Sequence, residues 1–384
     1  MLILAAILTM FVYGLISPML GAMLPSYGLS AAEQGSLTLA NALGLVMASL
    51  SAGPLVDLKG KRPALFLGLS LVVVALFLLP RAGGYAVLLP VYCGLGIGGG
   101  IVSTGTNSLV SDMSPNRRGP ALNFLNLFFG LGGIVTTYAA SYLFTPVAIC
   151  YSIAILAVLA MFTCYFAPMV KAAGAVGFRL SEVPRLLGNP LLILFSLLLF
   201  FYVACEVGVW NWLKAYLISA HLDARTAGGT VSYGFASGML LGRLLVSRIL
   251  TKVSAMHVLS MAAPLIALTT FGVLRAGSSI LGSPISGSRI SVTALVFGAG
   301  LAMAPVFPTT LALVGDHFPQ RTATAMGIAI TSGWIGLAFS SPIIGWLAGG
   351  STLGHALLVL PWLACAMVLV NMVLTITLRK LPAR

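Results

Sequence analysis

Apolar stretches of about 20 residues follow one another along nearly the whole chain, separated by short breaks of proline, glycine and charge. An α-helix rises ~1.5 Å per residue, so about 20 apolar residues cross the ~30 Å hydrocarbon layer of a bilayer. The pattern predicts twelve helices, at 3–25, 33–55, 63–81, 84–112, 120–143, 146–168, 190–218, 226–249, 255–275, 288–315, 321–348 and 353–378. The spans at 84–112, 288–315 and 321–348 are long enough to require tilt or protrusion. The longest polar connection, 169–189, carries Lys171, Arg179, Glu182 and Arg185 and divides the chain into bundles at 1–168 and 190–384. The expected fold class is an all-α membrane protein, with twelve transmembrane helices in two six-helix pseudo-symmetric bundles.

Composition closes off the alternatives. The chain is 59% hydrophobic and 7% charged, against about 25% charged in a soluble domain. A net charge of +13 would suggest nucleic acid in a soluble protein. Here the basic residues sit in short connections, without a basic stripe. With a cytoplasmic N-terminus, 14 of the 20 Lys and Arg fall on the cytoplasmic side, 5 on the other and 1, Arg243, inside a span. The asymmetry places both termini in the cytoplasm, as in a multi-pass protein of a bacterial inner membrane. The first residues, MLILAAILTMFVYGL, lack a basic n-region and a clear cleavage site, and read as the first span. The five cysteines lie in apolar runs without metal or redox spacing, and the four histidines are scattered. The glycine runs at Gly94–Gly100 and Gly298–Gly300 are followed by no strand or phosphate-binding lysine, and fit close helix packing. Neither a metal nor a cofactor is expected.

The two halves repeat. Leu109-Val110-Ser111-Asp112-Met113-Ser114-Pro115-Asn116-Arg117 matches Leu313-Val314-Gly315-Asp316-His317-Phe318-Pro319-Gln320-Arg321 at an offset of 204 residues. The same offset carries Gly96 onto Gly300, Ala121 onto Ala325 and Gly132 onto Gly336. A duplicated six-helix unit related by an axis along the membrane normal is a transporter architecture, with the substrate site at the midplane between halves.

Between the second and third spans stands Gly53-Pro54-Leu55-Val56-Asp57-Leu58-Lys59-Gly60-Lys61-Arg62. It resembles the G-x-L-x-D-[RK]-x-G-[RK]-[RK] signature of the major facilitator superfamily. Gly53 permits close helix approach and Gly60 a tight turn. Asp57 is suited to the positive N-terminus of a neighbouring helix; the resemblance makes that neighbour the eleventh span, which begins near Thr322. Arg117 or Arg118 could complete an ion-pair network, giving a cytoplasmic gate of Gly53, Asp57, Gly60, Lys61, Arg62, Arg117 and Arg118. The basic residues also serve simply as topology signals. The matching stretch of the second half, Ser247-Arg248-Ile249-Leu250-Thr251-Lys252, lacks the Asp and Gly.

A finer resemblance is to the fucose/glucose permease-type sugar symporters. It rests on Arg118-Gly119-Pro120-Ala121-Leu122-Asn123-Phe124-Leu125-Asn126 with Gly130–Gly133, on Thr104–Asn107, and on Glu206-Val207-Gly208-Val209-Trp210-Asn211-Trp212-Leu213. Asn126 stands where that group has Gln. Ser103 stands where its fucose members carry an acid, and the first span holds no acid either. The coupling carboxylates of that group's first half are therefore missing.

Glu206 is the most informative single residue. An acid within a transmembrane run costs roughly 3 kcal/mol or more, and such groups usually face a bundle interior or a water path. Glu206, Trp210 and Lys214 share one helix face at i, i+4 and i+8. Trp210, and less strongly Trp334, could stack on a sugar ring. Asn107, Asn123, Asn126 and Asn211 offer paired donors and acceptors for hydroxyls, while amides also serve as interhelical glue. Arg243 reads as a gate residue or as an interhelical ion pair rather than as a ligand contact. The expected activity is secondary transport of a small polar solute, a neutral monosaccharide first, by a monomer in the bilayer. Proton or sodium coupling would run through Glu206. An exporter of drugs or lipids and an uncoupled uniporter are the rivals. A membrane-embedded enzyme would need a catalytic constellation that the chain does not offer.

Overall fold

The structure, a computed structural model, describes residues 1–23, 27–142, 144–169, 183–280 and 286–380. The described residues are helical and joined by short turns. In chain order the helices are α1 Leu2–Met23, α2 Ala31–Lys59, α3 Lys61–Leu78, α4 Tyr85–Met113, α5 Arg118–Tyr142, α6 Pro146–Phe166, the short α7 Val183–Leu187 and α8 Pro190–Ser219. Then come α9 Ala224–Gly229, α10 Ser237–Ile249, α11 Ala255–Ile280, α12 Ser286–Met303, α13 Val306–His317, α14 Thr322–Gly350, α15 Leu353–Ala356 and α16 Val359–Lys380. Ten helical stretches among the described residues are long and apolar enough to span a bilayer. The apolar Leu2–Ser17 segment is shorter. The remaining predicted span, 226–249, is covered by α9 and α10 with a π-helical stretch, Thr230–Ala236, between them.

Local chemistry sets the ends. Ser30 and Glu33 form a reciprocal capping box at the start of α2, which satisfies two backbone donors that a helix start leaves unpaired. Thr145, Asp223 and Thr352 cap α6, α9 and α15 with side-chain oxygens. The predicted span 288–315 is divided after Met303, because Pro305 lacks the N–H that would continue the ladder and its ring crowds the preceding turn. The predicted span 353–378 is likewise divided, into α15 and α16. Of the connection 169–189, only 169 and 183–189 lie within the described residues, so Lys171, Arg179 and Glu182 lie outside them, as does Arg384.

Two compact units emerge, Met1–Asn189 with Leu311–Thr331, and Pro190–Thr310 with Ser332–Arg384. The first unit therefore takes in α13 from Leu311 onward and the beginning of α14, and is not the first half alone. Within it α2 and α3 pack on α4, and α1 packs on α5 and α6. Within the second, α11 packs on α12 and α16, α8 on α16, and α10 on α12. The glycines paired by the sequence repeat do matching work. A Cβ on Gly96 would lie 2.2 Å from the Asn41 carbonyl oxygen, and one on Gly300 2.2 Å from that of Phe235. Gly132 and Gly336 similarly face the carbonyl oxygens of Phe11 and Phe200 at 2.6 and 2.3 Å. Backbones this close exclude any side chain and gain the dispersion contacts that hold apolar helices together in lipid.

Candidate functional site

At the junction of α2 and α3 the chain turns at Gly60, whose φ of 91° favours glycine. Gly53, near the end of α2, meets the first turn of α14 so closely that a Cβ would lie 2.5 Å from Thr324 Cα. That approach delivers Asp57 to the helix start. Its Oδ2 accepts hydrogen bonds from the Thr324 backbone N–H at 2.9 Å and the Thr324 hydroxyl at 2.6 Å. A carboxylate there meets unpaired amides and the positive end of the helix macrodipole.

The basic residues of this region make the following bonds. Lys61 Nζ pairs with Asp112 Oδ2 at 2.6 Å, with side chains 3% and 1% exposed. Arg62 donates to the Ala167 carbonyl at 2.8 Å, beyond the end of α6. Arg118, itself buried, pairs with Asp316 at 2.7 Å and donates from Nε to the Ser111 carbonyl at 3.2 Å. Arg117 is exposed in the turn before α5. Asp57 bonds Thr324, Lys61 pairs with Asp112 and Arg118 pairs with Asp316, and Lys61 and Asp112 lie within the electrostatic field of Asp57. Thr324, Asp112 and Asp316 were not among the expected site residues. The repeated motif marked both aspartates, and Thr324 lies two residues into the helix expected beside Asp57.

The amides of the first unit are closed to solvent. Asn107, Asn123 and Asn126 are 0%, 0% and 2% exposed. Each donates to the carbonyl four residues earlier in its own helix, Ser103, Gly119 and Leu122. Asn126 also donates to Asn107 Oδ1 at 3.2 Å, tying α5 to α4.

Glu206 lies just past the middle of α8, half-buried in the second unit. Arg243 of α10, 4% exposed, is the cation in its field, and the Tyr202 hydroxyl and Trp210 indole lie beside its carboxyl group. Arg243 thus lies within electrostatic reach of Glu206 across α8 and α10. Tyr202, one turn before Glu206, is fully buried. Its i−4 spacing was the signal available in the sequence. Trp210 is 41% exposed and sets its ring edge-on against Phe235 of the π-helical stretch, 4.9 Å between centroids. Asn211 is exposed and Trp334, on α14, half-buried. Within the same unit lies a small, partly open cavity of about 20 Å³ lined by Val209, Leu213, Phe235, Thr270, Val296 and Leu360. Its lining is apolar, and Thr270 bonds its own helix at Ile266, so it does not suit a polyol. Among the described residues no cluster of His, Cys, Asp or Glu could hold a metal ion.

Comparison with known proteins agrees with this architecture. The chain superposes on crystal structures of the Escherichia coli fucose:proton symporter FucP with a TM-score of 0.80 at 16% identity, covering 97% of this chain and 98% of that one. It also superposes on the proton:xylose symporter XylE bound to 6-bromo-6-deoxy-D-glucose, with a TM-score of 0.72 at 15% identity, covering 97% and 94%. At these identities the likeness is one of fold. In sequence the chain is 23% identical to Bypass of stop codon protein 6 of Saccharomyces cerevisiae over 90% of this chain and 76% of that protein. It is 32% identical to the quinolone resistance protein NorA of Staphylococcus aureus over 29% of this chain and 28% of that one. The family model described as Major Facilitator Superfamily matches residues 2–341, and with the duplicated helical units and the Gly53–Arg62 signature it shows that the chain belongs to the Major Facilitator Superfamily.

Proposed function

We propose that this transporter carries a small polar solute, a neutral monosaccharide in the first instance, by alternating access of its two halves, 1–168 and 190–384. The observation that carries the reading is the Glu206 group. A carboxylate, a buried guanidinium and a phenol lie beside a partly exposed indole within otherwise apolar helices. A carboxylate and an indole are the groups that hydroxyls and the apolar face of a pyranose ring require. The sugar symporters among the structural neighbours support the substrate class. In this reading Asn107, Asn123, Asn126, Asn211 and Trp334 complete the site, and the three buried amides exchange their internal bonds for sugar hydroxyls as the helices move. Asp57, Gly53, Gly60, Lys61, Arg62, Arg117 and Arg118 form the gate. In this reading the gate and both termini face the cytoplasm, which the charge asymmetry supports, and the protein acts as a monomer in a bacterial inner membrane.

Glu206 is also the proposed coupling residue, through a proton or sodium. Its charge is balanced by Arg243 when the site is closed, and a substrate or ion that competes for either group biases the two states. The test is transport in liposomes. Purified protein should show saturable monosaccharide counterflow and gradient-driven accumulation. Glu206→Gln should lose accumulation and keep exchange. Concentrative uptake by Glu206→Gln with normal pH and sodium dependence would remove the coupling role. Export of amphiphilic drugs is the second reading, favoured by the local similarity to NorA. Drug-driven counterflow that sugars fail to compete would establish it.

A further inference from the structure

We propose that the groove between α3 and α6 is a binding site for an anionic membrane phospholipid, with an acyl chain in the groove and the phosphate at Arg62. The groove is a shallow, open concavity of about 470 Å³, lined by Phe66, Val73 and Val74 of α3 and Val158, Phe162 and Tyr165 of α6. The two helices run in opposite directions, so the start of α3 meets the end of α6, where Arg62 donates to the Ala167 carbonyl. From Phe66 to Val74 the groove extends about 12 Å along α3 at ~1.5 Å per residue. It is open rather than covered by protein: Val74, Phe162 and Tyr165 are 55%, 57% and 58% exposed.

Three features commit the occupant. First, the face belongs to helices long and apolar enough to cross a bilayer, so its exposed side meets hydrocarbon. Second, the aromatic residues cluster at one end. Phe66 packs edge-on to Tyr165 at 6.2 Å, and Tyr165 and Phe162 both pack against Phe166 at 5.0 and 4.7 Å. Aromatic clusters of this kind mark the level of the lipid headgroups. Third, the charge at that end is positive and outward. Arg62 and Lys59 are exposed, whereas Lys61 is turned inward onto Asp112. A guanidinium at the headgroup level recognises a phosphate by charge-assisted hydrogen bonds, and basic residues at a membrane surface select anionic lipids. A lipid-facing ridge would carry the aromatic residues and the charge but would offer a chain no concavity. The concavity between α3 and α6 lets one chain touch protein on two sides.

Native mass spectrometry of the purified full-length protein tests the site, with phosphatidylglycerol, phosphatidylcholine and a fatty alcohol of matched chain length as probes. One phosphatidylglycerol should bind about fivefold more tightly than phosphatidylcholine, the effect expected of one basic residue at an anionic surface. Ser70→Trp and Val74→Trp, which fill the groove, should each weaken that adduct about tenfold. Val74 is exposed, so its replacement tests the site even where Ser70→Trp fails to fold. Leu268→Trp, on an exposed face of α11, should leave the adduct unchanged. Arg62→Gln should erase the headgroup preference and keep chain binding. Equal binding of both phospholipids and the alcohol, or indifference to the groove-filling variants, would overturn the proposal. A dimer that forms without lipid and is broken by Val74→Trp would assign the groove to a second copy instead.

Discussion

Asp112 and Asp316 stand at equivalent places in the repeated L-V-[SG]-D-x-x-P-[NQ]-R motif, and the protein uses them differently. Asp112 faces Lys61 with both side chains almost fully withdrawn from solvent, while Asp316 faces Arg118 with 45% of its own side chain exposed. The neighbouring residues diverge to match. Ser111 and Gly315, equivalent in the repeat, meet one another, and a Cβ on Gly315 would lie 2.4 Å from Ser111 Oγ. A buried pair is held because separating it strands a charge in a poor solvent. A pair open to water on one side contributes little and breaks easily. Duplication supplied two copies of one acid, and burial turned one into a fixed strut and left the other as a contact suited to being made and broken.

The largest effect should come from stranding the buried charge. Lys61→Met leaves Asp112 uncompensated and should cost about 3–5 kcal/mol, read as loss of monodisperse protein by fluorescence-detected gel filtration. Adding Asp112→Leu should restore most of it. Arg118→Met leaves Asp316 in water and should keep the fold. Equal damage from Lys61→Met and Arg118→Met would erase the distinction between the two acids.

Gly315→Ala sharpens the comparison at the contact itself. The added methyl group should destabilise by about 1–3 kcal/mol, and Ser111→Ala in the same chain should recover part of that loss. Additive melting shifts would mean that the two positions do not press on one another.

Asp57→Asn removes the carboxylate at the start of α14 and should cost about 0.5–2 kcal/mol, the range for losing a helix cap. In a cysteine-accessibility assay it should shift the balance of the two open states several-fold, non-additively with Thr324→Ala. Unchanged accessibility on both faces would leave Asp57 with topology alone.

The smallest effect belongs to Arg118→Met, which leaves Asp316, 45% exposed, in water and should cost about 0–1 kcal/mol in thermal stability. Raising salt should shrink the difference from the parent protein further, since exposed charges are screened. A loss comparable to that of Lys61→Met would show that Asp316 is buried in the working protein.

Runs of apolar residues, interrupted by Pro, Gly and charge, determined the helices, because crossing hydrocarbon demands length and apolarity and little else. The same simplicity made the repeat visible, and the Gly53–Arg62 signature placed Asp57 beside the helix at Thr322, which the structure reproduces in the bonds to Thr324. Glu206 could be read as exceptional because a carboxylate in an apolar run is costly wherever it points. Partners were another matter. Nothing in the motif distinguishes Asp112 from Asp316, since their burial is set by helices distant in sequence. Arg243 could be read as a gate or ion-pair residue, but the face it takes could not be read, because the π-helical stretch Thr230–Ala236 breaks the 3.6-residue period by which a helix face is counted from its end. Sequence fixes which groups must avoid lipid. Only packing decides which of them meet.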